Sequence, residues 1–314
     1  MLHRIFASVF MVTGLAFTAG CTPATGPVSE VQQNRLHPDL STAGIQTSQQ
    51  SLAMKQHLAQ TEQASLSSGR MRRDTAPSDA RFTRSDLVEN FMAIALFNET
   101  NAAHGQMRRS PAPLRRWNSP IRFGVYFGQD VPPNQQRRDL ASISDFARQL
   151  SNASRHSVTV AAQNPNFHVL VLNEHERKSW HQELRQIIPD LRAQDAATIL
   201  SLPRHKQCQM FAWDPQNSGV FNLAVAVIRA EHPDLTRLSC FHEELAQGLG
   251  LPNDSPDARP SIFNDDEEFG LLTRHDELLL RILYDPRLRP GMSASQARPI
   301  VEKIVADLKI STSS

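Results

Sequence analysis

The chain has little that would commit it to a familiar chemistry. Among its 314 residues are three cysteines, two tyrosines and three tryptophans, and the formal net charge is only +1. A charge so close to zero gives no global drive toward a polyanion, so no nucleic-acid partner is expected. No glycine-rich phosphate loop, dinucleotide fingerprint or nucleophile-elbow motif occurs, which leaves nucleotide-dependent and serine-hydrolase chemistries without a basis. Internal repeats are absent. Beyond residue 20 no apolar run is long enough to cross a bilayer as a helix.

What is present starts at the N-terminus. Arg4, with His3 beside it, precedes an apolar run over 5–17. These are the charged and apolar parts of an export leader, shorter than the ~20 residues of a spanning helix. The run ends in Thr18-Ala19-Gly20-Cys21, which resembles the lipobox of bacterial lipoproteins, where the cysteine is diacylated and becomes the new N-terminus. Leu is usual in that box where Thr18 stands. The expectation is a leader over 1–20, lipidation at Cys21 and an exported protein held in the periplasm by its lipid, with the outer membrane favoured over the inner. Conventional cleavage after Gly20 is the alternative. With Cys21 lipidated, Cys208 and Cys240 remain as a pair in an oxidising space, and a disulfide is expected, two buried thiols being the alternative.

Residues 21–82 are rich in Gln, Ser, Thr and Ala, too poor in large apolar groups to offset their ordering entropy, and read as a flexible tether with at most a transient helix over 51–64. The arginine clusters Arg70/Arg72/Arg73, Arg108/Arg109 and Arg115/Arg116 read as solvated surface, with anionic lipid as a further contact. A single α+β domain is expected over 83–310. Thr83-Arg84-Ser85-Asp86 is a capping-box-like helix start. Ile121, Phe123, Val125 and Phe127 alternate as a strand, and Leu140, Ile143, Phe146, Ala147 and Leu150 form an amphipathic helical stripe. Strands follow over 157–161, 167–172 and 220–228, with polar helix and loop over 174–202. A helix over 240–249 ends at Gly250, a left-handed cap. Thr273 caps another helix, which Asp285-Pro286 stops, and a last helix carries Ile300, Val301, Ile304, Val305 and Leu308.

The densest polar constellation is His242-Glu243-Glu244-Leu245-Ala246-Gln247. On a helix Glu243 and Gln247 share a face, with Glu244 alongside. An H-E-x-x-H helix uses this arrangement to offer zinc two ligands and its bound water a carboxylate. Laid over the longer H-E-x-x-H-x-x-G-x-x-H pattern, the chain supplies Glu243, Glu244, Gln247, Gly250 and Asn253. The base position and the glycine match, and the three ligand positions differ. The stretch resembles the metzincin zinc peptidases with degenerate ligands, in its order of strands and helices over roughly 120–285 and in the helix from Thr273 to Tyr284. Their methionine turn is missing from Pro260-Ser261-Ile262-Phe263-Asn264-Asp265-Asp266.

Longer strings resemble domain-of-unknown-function family 2927, exported bacterial proteins without an established activity, over about 85–305. They include Arg116-Trp117 with Pro120-Ile121-Arg122, Cys240 with Glu243-Glu244, Gln247 to Leu251, Asn253-Asp254, the Pro260–266 stretch, and Leu278 through Pro286 with Gly291-Met292. The two resemblances imply a metzincin- or zincin-like mixed sheet with an active-site-type helix and C-terminal helices. They also imply a binding groove at Glu243, Glu244, Gln247, Asn253 and Asp254. No cofactor is expected: amide oxygens bind zinc weakly, and this oxygen-rich set suits a harder ion such as Ca²⁺ better. His242 and His275 are further imidazoles without an i, i+4 partner. The acidic run Asn264 to Glu268 reads as a surface loop, with cation binding as its alternative. The leading expectation is a lipid-anchored envelope protein binding a protein or peptide partner, an extended segment adding to the strand over 220–228. An atypical metal-dependent hydrolase with Glu244 as general base and a purely structural domain, its glutamates an ordinary solvated face, are the alternatives.

Overall fold

The computed structural model describes residues 48–101, 107–264 and 266–308; Cys21, the leader and residues 22–47 of the expected tether lie outside them. The described chain opens with helices α1 (Gln49–Ser67) and α2 (Arg84–Ala95) and an antiparallel pair, β1 (Phe97–Asn101) with β2 (Met107–Pro111). Strand β3 (Ile121–Phe127), helix α3 (Pro133–Ser154), and strands β4 (Val158–Val160) and β5 (Phe167–Leu172) follow. Three short helices come next, α4 (Glu174–Ser179), α5 (His181–Ile187) and α6 (Ala193–Leu200). Then come β6 (Cys208–Trp213), β7 (Leu223–Arg229), α7 (Asp234–Gln247), α8 (Arg274–Leu283) and α9 (Ala294–Asp307).

The fold is α+β. Its main sheet has the order β4-β3-β5-β7-β6. The first four strands in that order are parallel, and β6 lies antiparallel at the edge. Strand β5, Phe-His-Val-Leu-Val-Leu, is buried along its whole length, as a central parallel strand covered on both faces must be. Phe123, Phe167, Val169, Ala224, Ala226 and Ile228 face a core completed by α2, α3, α7, α8 and α9. Leu170, Leu172, Val225 and Val227 face a smaller core under α5 and α6, with Leu184, Ile199 and Leu200. No helix among the described residues is long and apolar enough to cross a membrane.

The capping boxes at Thr83 and Thr273 form, with Asp86 and Asp276 as the reciprocal acceptors. The strand expected over 220–228 starts at Leu223, and it is bonded on one side to β5 and on the other to β6. It therefore has no free edge, and the expectation that a partner strand adds there is overturned. The edge belongs to β6, which the sequence did not announce because five of its six residues are only half-buried. Helix α7 begins at Asp234 rather than Cys240, and Gly248 is its cap. Gly250 has the left-handed backbone expected of it, φ +126°, and a Cβ there would lie 2.1 Å from the Arg115 carbonyl oxygen.

Residues 48–82, assigned by composition to a tether, are helix and loop packed on the domain. Ser51, Met54, Leu58 and Ser65 form one buried face of α1. Only two are large and apolar, so average hydropathy hides the stripe. Burying each of the two contributes roughly 2–3 kcal/mol, and hydrogen bonds add to it. Ser51 Oγ meets His175 Nδ1 at 2.8 Å, and Glu62 accepts from the backbone N–H and hydroxyl of Thr236. Arg72 then forms a bridge in register with Phe269 and pairs with Asp74, Asp79 and Glu268. The expected solvated arginine is thus the hub of an ion-pair cluster. Met54→Asp should undock α1 without unfolding the sheet. Limited proteolysis should then cut the chain between Ser67 and Ala80, a region resistant in the wild type.

Candidate functional site

The expected groove residues lie where α7 passes beneath β6. A disulfide joins Cys208, the first residue of β6, to Cys240 in α7. One turn beyond Cys240, Glu244 projects under the strand and is only 4 % exposed. Its Oε2 has no hydrogen-bond partner among the described residues. Burial raises its carboxyl well above the usual carboxylate range, and the charges of Glu243 and Asp254 raise it further. Lys206 and the backbone N–H of Met210 act in the opposite sense. Glu244 is therefore not part of a solvated face: its carboxyl is buried beneath the edge strand, where loss of water disfavours the charged form.

Glu243 and Gln247 are half-buried beside it, and Gln247 Nε2 reaches Asp254 Oδ1 at 3.4 Å. Asn253 goes elsewhere. It is buried, and its Nδ2 donates to the carbonyls of Ile94 (2.9 Å) and Phe97, tying the loop after α7 to the end of α2. The structure thus brings Glu243, Glu244, Gln247 and Asp254 together and assigns Asn253 to a latch.

These residues do not fit the zinc of a peptidase. The third ligand position is Asn253, whose amide is engaged with backbone carbonyls. The sulfur nearest the carboxylates, on Cys208, lies within 4.8 Å of Glu243 and Glu244 oxygens, but it is in the disulfide and offers no thiolate. The two histidines are also elsewhere. His242 stacks on Phe146 at 4.0 Å and accepts the Leu272 N–H through Nδ1; burial lowers its pKa to about 3. His275 is fully buried against Phe82, with Nε2 3.1 Å from Asn90. In the acidic run, Glu268 is neutralised by Arg72 and Arg259, and Glu267 accepts from Gln207.

Other residues singled out from the sequence prove to be fastenings. Trp117 Nε1 donates to the Gly248 carbonyl, the Tyr284 hydroxyl donates to the Leu249 carbonyl, and Arg116 donates to the carbonyls of Leu283, Asp285 and Leu288. Together they fix the C-terminus of α7 against the end of α8. Gly248 permits the close approach, since a Cβ there would lie 2.3 Å from the Phe167 ring. Asp276 accepts from Ser261 Oγ, the Ile262 N–H and both Thr273 donors, binding the loop before α8 to its first turn. A second polar cluster, Asp130, His175, Glu176 and Glu231, went unread in the sequence. The one local signal was Asn173 three residues before Glu176, the capping box that opens α4 after β5.

A disulfide-clamped α+β domain with a cluster of acidic side chains where helix α7 meets the edge strand is the class these features define. The model of the family described as "Protein of unknown function (DUF2927)" matches residues 84–303, and the chain belongs to that family. No curated protein and no solved structure gives a match.

The raised pKa of Glu244 has a definite linkage consequence. The folded state keeps a proton that the unfolded state releases above its ordinary value near 4.5, so the wild type loses stability as pH rises from there toward the folded value. Glu244→Gln removes this dependence. The variant should gain on the wild type by up to about 1.4 kcal/mol per pH unit over that window, measured by denaturant unfolding between pH 4 and pH 8.

Proposed function

We propose that this is an envelope-anchored binding protein, lipidated at Cys21, whose domain takes an extended peptide of a partner protein along the outer edge of β6. The observation that carries this reading is that edge itself. Trp213 directs its carbonyl toward the β7 side, accepting from Asn222, so Met210 and Ala212, at alternate positions, turn their backbone groups outward. The Met210 N–H meets Glu244, which leaves the Met210 carbonyl and both groups of Ala212 to a partner. Among the described residues no strand pairs with that side. Glu243 and Asp254 flank it and favour a segment carrying Lys or Arg. Backbone bonds along β6 would supply affinity, and the acidic pocket the choice of side chain.

Support for a zinc-peptidase-like origin is the order of elements: strand, helix, two parallel strands, an antiparallel edge strand, a further strand, then the helix bearing Glu243, Glu244 and Gln247. In the metzincins, too, an edge strand precedes the active-site helix. The ligand substitutions and the diversion of Asn253 favour binding over hydrolysis. The leader and the Cys21 motif support export and a lipid tether, with the outer membrane as the favoured location.

Ala212→Pro removes one outward N–H and leaves the ladder to β7 intact, a substitution edge strands tolerate. Screened against a library of extended peptides, the wild-type protein should enrich sequences with a basic residue. Ala212→Pro should weaken the selected peptides at least tenfold at unchanged melting temperature. Equal binding by the variant would remove β6 as the site.

A further inference from the structure

The C-terminal ends of β3, β5 and β7 converge on polar groups that share no residue with the α7 groove. Asp130 lies in the turn after β3, His175 and Glu176 in the first turn of α4 after β5, and Glu231 just beyond β7. Helix α1 brings Ser51. Open α/β sheets commonly receive ligands at this end of their parallel strands. Oxygens of Asp130 and Glu176 and a ring nitrogen of His175 all lie within 4.8 Å of one another. The side chains of His175 and Asp130 are 25 % and 23 % exposed, so the position is open to solvent. The Glu176 carboxylate is oriented by the backbone N–H groups of Asp130 and Asn173 and by the Asn173 amide.

The hydrogen bonds are one cation short. His175 Nε2 is 2.8 Å from Asp130 Oδ2, and Nδ1 is 2.8 Å from Ser51 Oγ. An ionised carboxylate only accepts, so in a neutral imidazole the proton sits on Nε2, and Nδ1 must accept the one hydroxyl proton of Ser51. Glu231 is then left incomplete. It is 4 % exposed, its Oε1 takes the Glu174 N–H, and its Oε2 has no partner. Burial raises its carboxyl, while the Ser51 hydroxyl beside it acts in the opposite sense. A cation on Nε2 reverses the chain: Nδ1–H donates to Ser51, whose own proton turns to Glu231. That is the support a metal-bound histidine ordinarily has.

We propose that Asp130, His175 and Glu176 form a site for a divalent transition-metal ion, with zinc as its reference occupant, supported from behind by Ser51 and Glu231. One imidazole and two carboxylates suit zinc or manganese better than calcium or magnesium, which take oxygen ligands almost exclusively. Bonds of 2.0–2.1 Å place neighbouring ligand atoms of a tetrahedral ion roughly 3.3 Å apart. The Asp130–His175 contact need open only by about half an ångström. Because Ser51 belongs to α1, loading the ion also tightens that helix on the domain.

The test uses the full chain, stripped with a chelator and titrated with zinc against a chromophoric competitor. One ion per chain at micromolar affinity or tighter is expected. His175→Gln and Asp130→Asn should weaken it at least 100-fold, and Ser51→Ala roughly 10–100-fold, the usual range for an outer partner. Replacement of the exposed His181 by Ala should change nothing. Zinc should also slow amide exchange across α1 in the wild type and not in Ser51→Ala. Absence of stoichiometric binding, or binding that survives His175→Gln and Asp130→Asn, overturns the proposal. Stabilisation of α1 by acid alone, with no response to zinc, would show that a proton fills the position and would equally overturn it.

Discussion

The bond between Cys208 and Cys240 joins the edge of the sheet to the helix beneath it, and the groove takes its geometry from that junction. Strand β6 has β7 on one side only, and edge strands are the least constrained part of a sheet. Fixing its first residue to α7 sets the height at which Met210 passes over Glu244 one turn further along. The other end of α7 is fixed by Trp117 and Tyr284, which donate to the carbonyls of Gly248 and Leu249, while Arg116 donates to carbonyls at the end of α8. A helix held at its middle by sulfur and at its end by two side chains resists the rotation that would expose Glu244. The carboxyl accordingly stays buried.

The treatment of buried charge differs across the molecule in an informative way. Glu174 is met by Arg177 and Arg229, and Asp139 by Arg237 through two contacts at 2.9 Å. Asp276 is surrounded by hydroxyl and amide donors. These groups are satisfied, and their cost of desolvation is offset locally. Glu244 and Glu231 are not matched in this way, each keeping one carboxylate oxygen without a partner. Unsatisfied buried groups are rare enough to call for a reason.

Much of the fold was legible because its signals were local. Thr83 with Asp86 and Thr273 with Asp276 announce helix starts within four residues, and the stripe through Ile143, Phe146 and Leu150 needs only its own period. The strand at Phe167–Leu172 was readable from its own residues in the same way. What was missed depends on distant partners. Strand β6 has half-buried residues and an identity conferred by β7. Helix α1 shows two large apolar groups on its buried face, and its docking rests on Thr236, His175 and Glu268, more than a hundred residues away. Glu244 looked like surface because adjacent glutamates usually are, and nothing local reveals that a strand passes over it.

Placing the family-like strings on the structure changes what they mean. Arg116-Trp117, Gly248, Gly250, Asn253, Ser261 and Tyr284 are spent on fastening the ends of α7 and α8 and the loop between them. Asn253 is the sharpest example, since it stands where a zinc peptidase would have its third ligand and instead donates to Ile94 and Phe97. A side chain engaged in that latch cannot also turn toward Glu243 and Gln247 without releasing the loop after α7. Placing a histidine at 253 would therefore remove a structural tie before it created a ligand. The contacts that hold Asn253 against Ile94 and Phe97 are thus the same ones that fix the loop after α7 and keep this side chain away from Glu243 and Gln247.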